Sequence, residues 1–142
     1  MQKRILWGTV LLVIAVALLA CGGGKYSDVI EVGNQFADAT EKYIKAIEKT
    51  ENSSAAADAT NTYAGKIEKI APRMREMADK YPELKDRDKV PEELKKSRVR
   101  DDALGEKMAG AMMKVMMTYS KDPEVRKAQE RLQKAMMLMM KK

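Results

Sequence analysis

From residue 26 onward the apolar side chains recur at steps of three and four, and no stretch alternates apolar with polar. A chain with that spacing buries its core through helices and has no strand to offer a sheet. A first helix is expected from about Ser27, its cap, to Thr50, with Val29, Val32, Phe36, Ala39, Tyr43 and Ile47 on one face. The turn formers Glu51-Asn52-Ser53-Ser54 end it, and a second helix follows to Tyr81, striped by Ala56, Ala59, Tyr63, Ile67, Ile70, Met74 and Met77. Pro72 lies inside that stripe and predicts a kink or break near Glu68 to Pro72, because it removes a backbone donor and crowds the preceding turn.

Residues 82 to 90 are polar, with room for at most one helical turn. Pro91-Glu92-Glu93 then opens a third helix to Tyr119 or Ser120, with acids beside the positive end of the dipole. Its core face is Leu94, Leu104, Met108, Ala111, Val115 and Tyr119. Asp122-Pro123-Glu124 starts a fourth helix, striped by Val125, Ala128, Leu132, Ala135, Met136 and Met139. The fold class is therefore all-α, an elongated antiparallel bundle of about four amphipathic helices occupying residues 26–142.

Ahead of the bundle stands a different kind of segment. Met1-Gln2-Lys3-Arg4 is positively charged, Ile5 to Ala20 carries no charge, and Cys21 is followed by Gly22, Gly23 and Gly24. The apolar stretch is shorter than the roughly 20 residues that cross a bilayer and lacks a basic stop-transfer cluster, so it reads as a secretion signal. Leu18-Leu19-Ala20-Cys21 resembles the bacterial lipobox, with Leu19 a less usual third member. The resemblance implies a lipoprotein precursor: residues 1–20 are a cleaved signal peptide, Cys21 carries diacylglycerol and an amide-linked acyl chain such as palmitate, and residues 21–25 are a flexible tether. Two or more acyl chains hold a protein stably on a membrane, so the membrane is the first expected partner. Gly22 stands where aspartate signals inner-membrane retention in enteric bacteria, which by the same resemblance favours the outer membrane, facing the periplasm.

Chemistry is poorly provided for. The sequence has no histidine, and its single cysteine is Cys21, so the commonest general base, thiolate nucleophile and zinc ligands are missing. Glu92-Glu93 and Asp101-Asp102 are neighbours that point about 100° apart on a helix and do not converge. No catalytic residues and no cofactor are expected, and the reading is that the protein is not an enzyme. The formal net charge is +6, with 13 basic against 8 acidic residues between 90 and 142. That bias suits anionic surfaces near a membrane, although solvated helix faces with interspersed acids are the simpler explanation. Nucleic acid is not an expected partner, because no basic cluster is interleaved with stacking aromatics.

Methionine is the anomaly. Nine of the 12 lie in the last 35 residues: Met108, Met112, Met113, Met116, Met117, Met136, Met137, Met139 and Met140. As an unbranched helix former, methionine serves mainly as core filler in place of leucine. On the third helix, however, Met113 and Met117 fall opposite the core stripe. A helix apolar over most of its circumference needs cover on more than one side, so either this helix lies between two neighbours or Met113 and Met117 form an interface for a protein partner or for self-association. Thioethers also suit copper(I), which makes Met112 and Met116 the candidate pair for a periplasmic copper(I) or silver(I) carrier. A third alternative is a peptidoglycan-associated spacer, from the terminal Lys141-Lys142. The leading expectation is a lipid-anchored helical module of the cell envelope that binds or spaces and performs no catalysis.

Overall fold

The computed structural model describes residues 24–86 and 90–140; the signal segment, Cys21, and Lys141 and Lys142 lie outside the described residues. The chain is all-α. Helices α1 (Ser27–Glu48), α2 (Ser53–Lys80), α3 (Glu92–Tyr119) and α4 (Pro123–Met140) alternate in direction, and a single 3-10 turn, Pro82–Lys85, follows α2. None of the described helices is long and apolar enough to cross a membrane.

The helix starts follow cap chemistry, with two corrections. Asn52 caps α2 by accepting from the Ala55 N–H at 2.9 Å, and Asp122 caps α4 by accepting from the N–H groups of Glu124 and Val125 at 2.8 and 3.4 Å. Ser27, expected to cap α1, is its first helical residue; Tyr26 stands in the cap position with no side-chain bond. Pro91 likewise precedes α3 and does not lie in its first turn. Pro72 does not break α2, which runs unbroken to Lys80. Pro72 is exposed, so the lost backbone donor lies on the solvent side of the helix and not in the core.

Packing departs further from the one-stripe picture. α1 and α2 each have two covered faces, α1 between α2 and α3, and α2 between α1 and α4. Toward α1, α2 turns Tyr63 and Ile70, with Thr60 bonded to the Tyr43 hydroxyl; it also buries Ile67 and the alanines Ala56, Ala57, Ala64 and Ala71, and α4 packs closely along it. Side chains this small let two helices approach until backbone and Cβ atoms fill the seam, against Val125, Ala128, Leu132 and Ala135 of α4. α2 and α4 run in the same direction, joined near their starts by the Ser53–Asp122 hydrogen bond and midway by a two-pronged contact, Arg131 Nε and Nη2 to the Glu68 carboxylate at 2.9 and 2.8 Å. α3 packs along α1, also in parallel. α3 and α4 share the short turn 120–122 yet do not run side by side.

Polar groups inside this core are paired. The stacked rings of Tyr43 and Tyr63 lie 4.7 Å apart, and the Tyr63 and Thr40 hydroxyls bond at 2.9 Å. A second, smaller cluster of Tyr26, Tyr81 and Leu94 closes the opposite end of the bundle from the α1–α2 and α3–α4 turns. There the Tyr81 hydroxyl donates to Lys25 O and Asp28 Oδ1, both at 2.9 Å, and Lys80 Nζ reaches Asp28 Oδ2 at 2.6 Å, pinning the start of the domain.

These contacts set the pH response. The Lys80 hydrogen bond lowers the Asp28 carboxyl below its usual range, Arg131 does the same for Glu68, and the Ser53 hydroxyl does so for Asp122. A depressed carboxylate stabilises the fold above its unfolded value and loses that contribution as pH falls through the folded value. Burial raises Tyr43 and Tyr63, and the Asp28 contact raises Lys80; these contribute below their unfolded values and lose that as pH rises through the folded ones. With no histidine, the thermal midpoint should stay flat between about pH 5 and pH 9, then fall below about pH 4 and above about pH 10. Melting curves across that range check it, and a midpoint that drifts between pH 5 and pH 9 would contradict it.

Candidate binding surface

The orientation of α3 is decided by three sets of side chains. Leu104, Met108, Ala111 and Val115 are buried in the core. Arg100 reaches across to α1 and bonds Asp38 and Glu41 at 2.7 and 3.3 Å. Lys114 Nζ donates to the carbonyls of Ile47 and Glu48 at 2.8 and 3.1 Å, at the end of α1, so its charge sits at the negative end of the α1 dipole. The Tyr119 hydroxyl adds a bond to Thr50 O at 3.3 Å.

With core and cation flanks fixed toward the bundle, the remaining arc of α3 is left to solvent. Met113 and Met117 are 60% and 79% exposed, and Met112 and Met116 are 39% and 58% exposed. Ala109 and Gly110 are exposed between them, and a Cβ placed on Gly110 would meet nothing within 4 Å. Of the two outcomes the sequence left open, α3 does not lie between two neighbours: α1 covers one side, and α4, which would have covered another, diverges from it to pack on α2. From Ala109 to Thr118 the only charged residue is Lys114, which is tied to α1. The result is a charge-poor strip of thioethers at spacings of one and four, bringing together all four methionines singled out from the sequence.

Two hollows were not legible beforehand. A groove of about 500 Å³ runs between α1 and α2, floored by Tyr43 and Tyr63 and rimmed by Lys42, Lys66 and Lys69; the small residues Ala39, Ala46 and Ala59 leave it open. A second, of about 270 Å³, lies among Val32, Met74, Met77, Tyr81 and Asp101, and partial burial raises the Asp101 carboxyl above its usual value. Neither brings a nucleophile to a base. No group of three or more histidine, cysteine, aspartate or glutamate side chains placed to hold a metal ion occurs among the described residues. No protein-family model, curated protein or solved structure matches the chain.

Because Met113 and Met117 touch no second helix, replacing both with lysine should leave the fold intact. The expected cost is within about 1 kcal/mol, as for other surface substitutions, read from denaturant melts. A loss of several kcal/mol would mean that an internal contact covers them.

Proposed function

We propose that the protein is a lipid-tethered module of a bacterial cell envelope, facing the periplasm and acting by binding rather than catalysis. In this reading Cys21 carries the anchor, the helical bundle is suspended from it by the glycine tether, and the methionine strip of α3 receives the apolar face of a partner protein. The exposed run Met112, Met113, Met116 and Met117 carries the reading, because a helix face this apolar, on a chain otherwise rich in charge, is costly to leave in water. Methionine suits a docking surface of this kind. Its flexible, polarisable side chain repacks against different surfaces, and residues at steps of one, three and four form the ridge that a partner helix needs.

Two measurements in the full chain test the two halves of this proposal separately. Cys21→Ser should abolish labelling by radiolabelled palmitate and release the protein from the membrane fraction; a mutant that stays membrane-bound would contradict the anchor. A photoreactive amino acid at Met117 should capture a defined second protein in intact cells, and Met113→Lys should remove that product. Capture of nothing would contradict the docking role, while capture of the same chain would replace a foreign partner by a second copy.

A second reading rests on the same strip. Met112 and Met116 stand one helical turn apart on one flank, both open to solvent, as a pair of thioethers for copper(I) requires. Copper(I) affinity measured against a competing chelator separates the two: a carrier loses affinity at least tenfold on Met112→Leu with Met116→Leu, and a docking module binds copper(I) weakly before and after.

A further inference from the structure

The final turn of α4 is apolar on every side. Met136, Met137, Leu138, Met139 and Met140 are consecutive, and at 100° per residue five such positions encircle the helix, so one neighbouring helix cannot bury them all. Met136 and Met139 pack against the core. Met137, Leu138 and Met140 are left 49%, 38% and 75% exposed and form an open patch beside Lys134.

The position of this collar in the bundle gives it meaning. α4 starts beside the start of α2 and runs in the same direction, toward the end where Lys25 and Tyr26 are held by Glu83 and Tyr81. The 18 residues of α4 span about 27 Å against about 42 Å for the 28 of α2, so the collar stops about 15 Å short of that end. The chain leading back to Cys21 leaves from the same end, and Cys21 is three residue steps from Gly24, a reach of about 10 Å. The α3 strip, by contrast, lies in the half of its helix nearest the α3–α4 turn, at the far end of the bundle. Charge points the same way: Lys127 is paired with Glu124 and Arg131 with Glu68, which leaves Lys134 exposed beside the collar, and Lys141 and Lys142 follow in the sequence.

We propose that the collar is a second membrane contact. With the acyl chains of Cys21 in the bilayer, the bundle leans over so that Met137, Leu138 and Met140 enter the boundary between head groups and acyl chains, while Lys134 meets anionic head groups. The inference rests on the lipid-anchor reading. Three side chains and a few cations hold a free protein weakly, but the tether makes this an intramolecular contact at high effective concentration, so a weak affinity suffices to keep it closed. The lean turns the far end of the bundle, with the α3 strip, away from the lipid.

Methionine oxidation reports it directly, because Met140 and Met117 are almost equally exposed in the bundle, at 75% and 79%. The processed full-length protein, purified from membranes and reconstituted into phosphatidylethanolamine–phosphatidylglycerol vesicles, is treated briefly with dilute hydrogen peroxide, and each methionine is quantified by mass spectrometry. Met137 and Met140 should oxidise at least threefold more slowly than Met113 and Met117, and the gap should narrow in phosphatidylcholine vesicles or with Lys134→Glu. Vesicle-bound protein in which Met140 oxidises as fast as Met117 overturns the contact and leaves the anchor standing. Protein that does not float with the vesicles overturns the anchor and this contact with it. Protection that depends on protein concentration and not on phosphatidylglycerol assigns the collar to a second copy, which also overturns the proposal.

Discussion

Everything else in this bundle follows from how closely α2 and α4 approach. The residues α2 buries on this flank are small, Ala57, Ala64 and Ala71, and α4 buries Val125, Ala128, Leu132 and Ala135. Parallel helices gain no help from their dipoles, so this pairing depends on dispersion and shape: side chains that stop at Cβ give each helix a shallow groove that the other fills. The consequence is a competition. The turn at residues 120–122 would allow α4 to fold back along α3, but α2 offers a smoother surface, and α4 lies there instead.

That choice determines what is left uncovered. α3 retains one long neighbour, α1, which it grips through Arg100 and Lys114, and its methionines face outward. α4 in turn stays tight where its residues are small or branched and loses cover where its final turn becomes apolar all round. Both exposed patches are thus products of one packing decision. They lie toward opposite ends of the molecule, which allows a tethered protein to rest one on its membrane and present the other to a partner.

Much of the fold was legible in the sequence. The steps of three and four located all four helices to within two residues or so, and the core face expected for α3 is the one buried, because Leu104, Met108 and Val115 are large enough to dominate the pattern. What escaped was the second face of α2. Alanine carries little hydrophobic signal by itself, so Ala57, Ala64 and Ala71 read as neutral filler, although all three are buried on the helix that α4 packs against. The methionine-rich α3 is the helix whose sequence asks for two neighbours, but two-sided contact belongs to α1 and to the alanine-rich α2. The same limit applies to the site: the four α3 methionines were identifiable by helical phase, whereas their exposure depended on a pairing between elements that no local pattern encodes. The groove between α1 and α2 escaped for the same reason, since it is made by what Ala39, Ala46 and Ala59 lack.

The central claim is that α1 and α2, not α3, occupy the middle of the bundle and that the methionine strip is consequently free. Native-state hydrogen exchange on the full-length protein measures this residue by residue, because amides in a helix covered on two faces open only with global unfolding while those on a one-sided helix open locally. The amides of α2 between Ala56 and Ala71 should be among the slowest in the molecule, together with those of α1, with those between Ala109 and Met117 of α3 exchanging at least tenfold faster. Equal or greater protection in that part of α3 would place a second neighbour over the methionines and contradict the account.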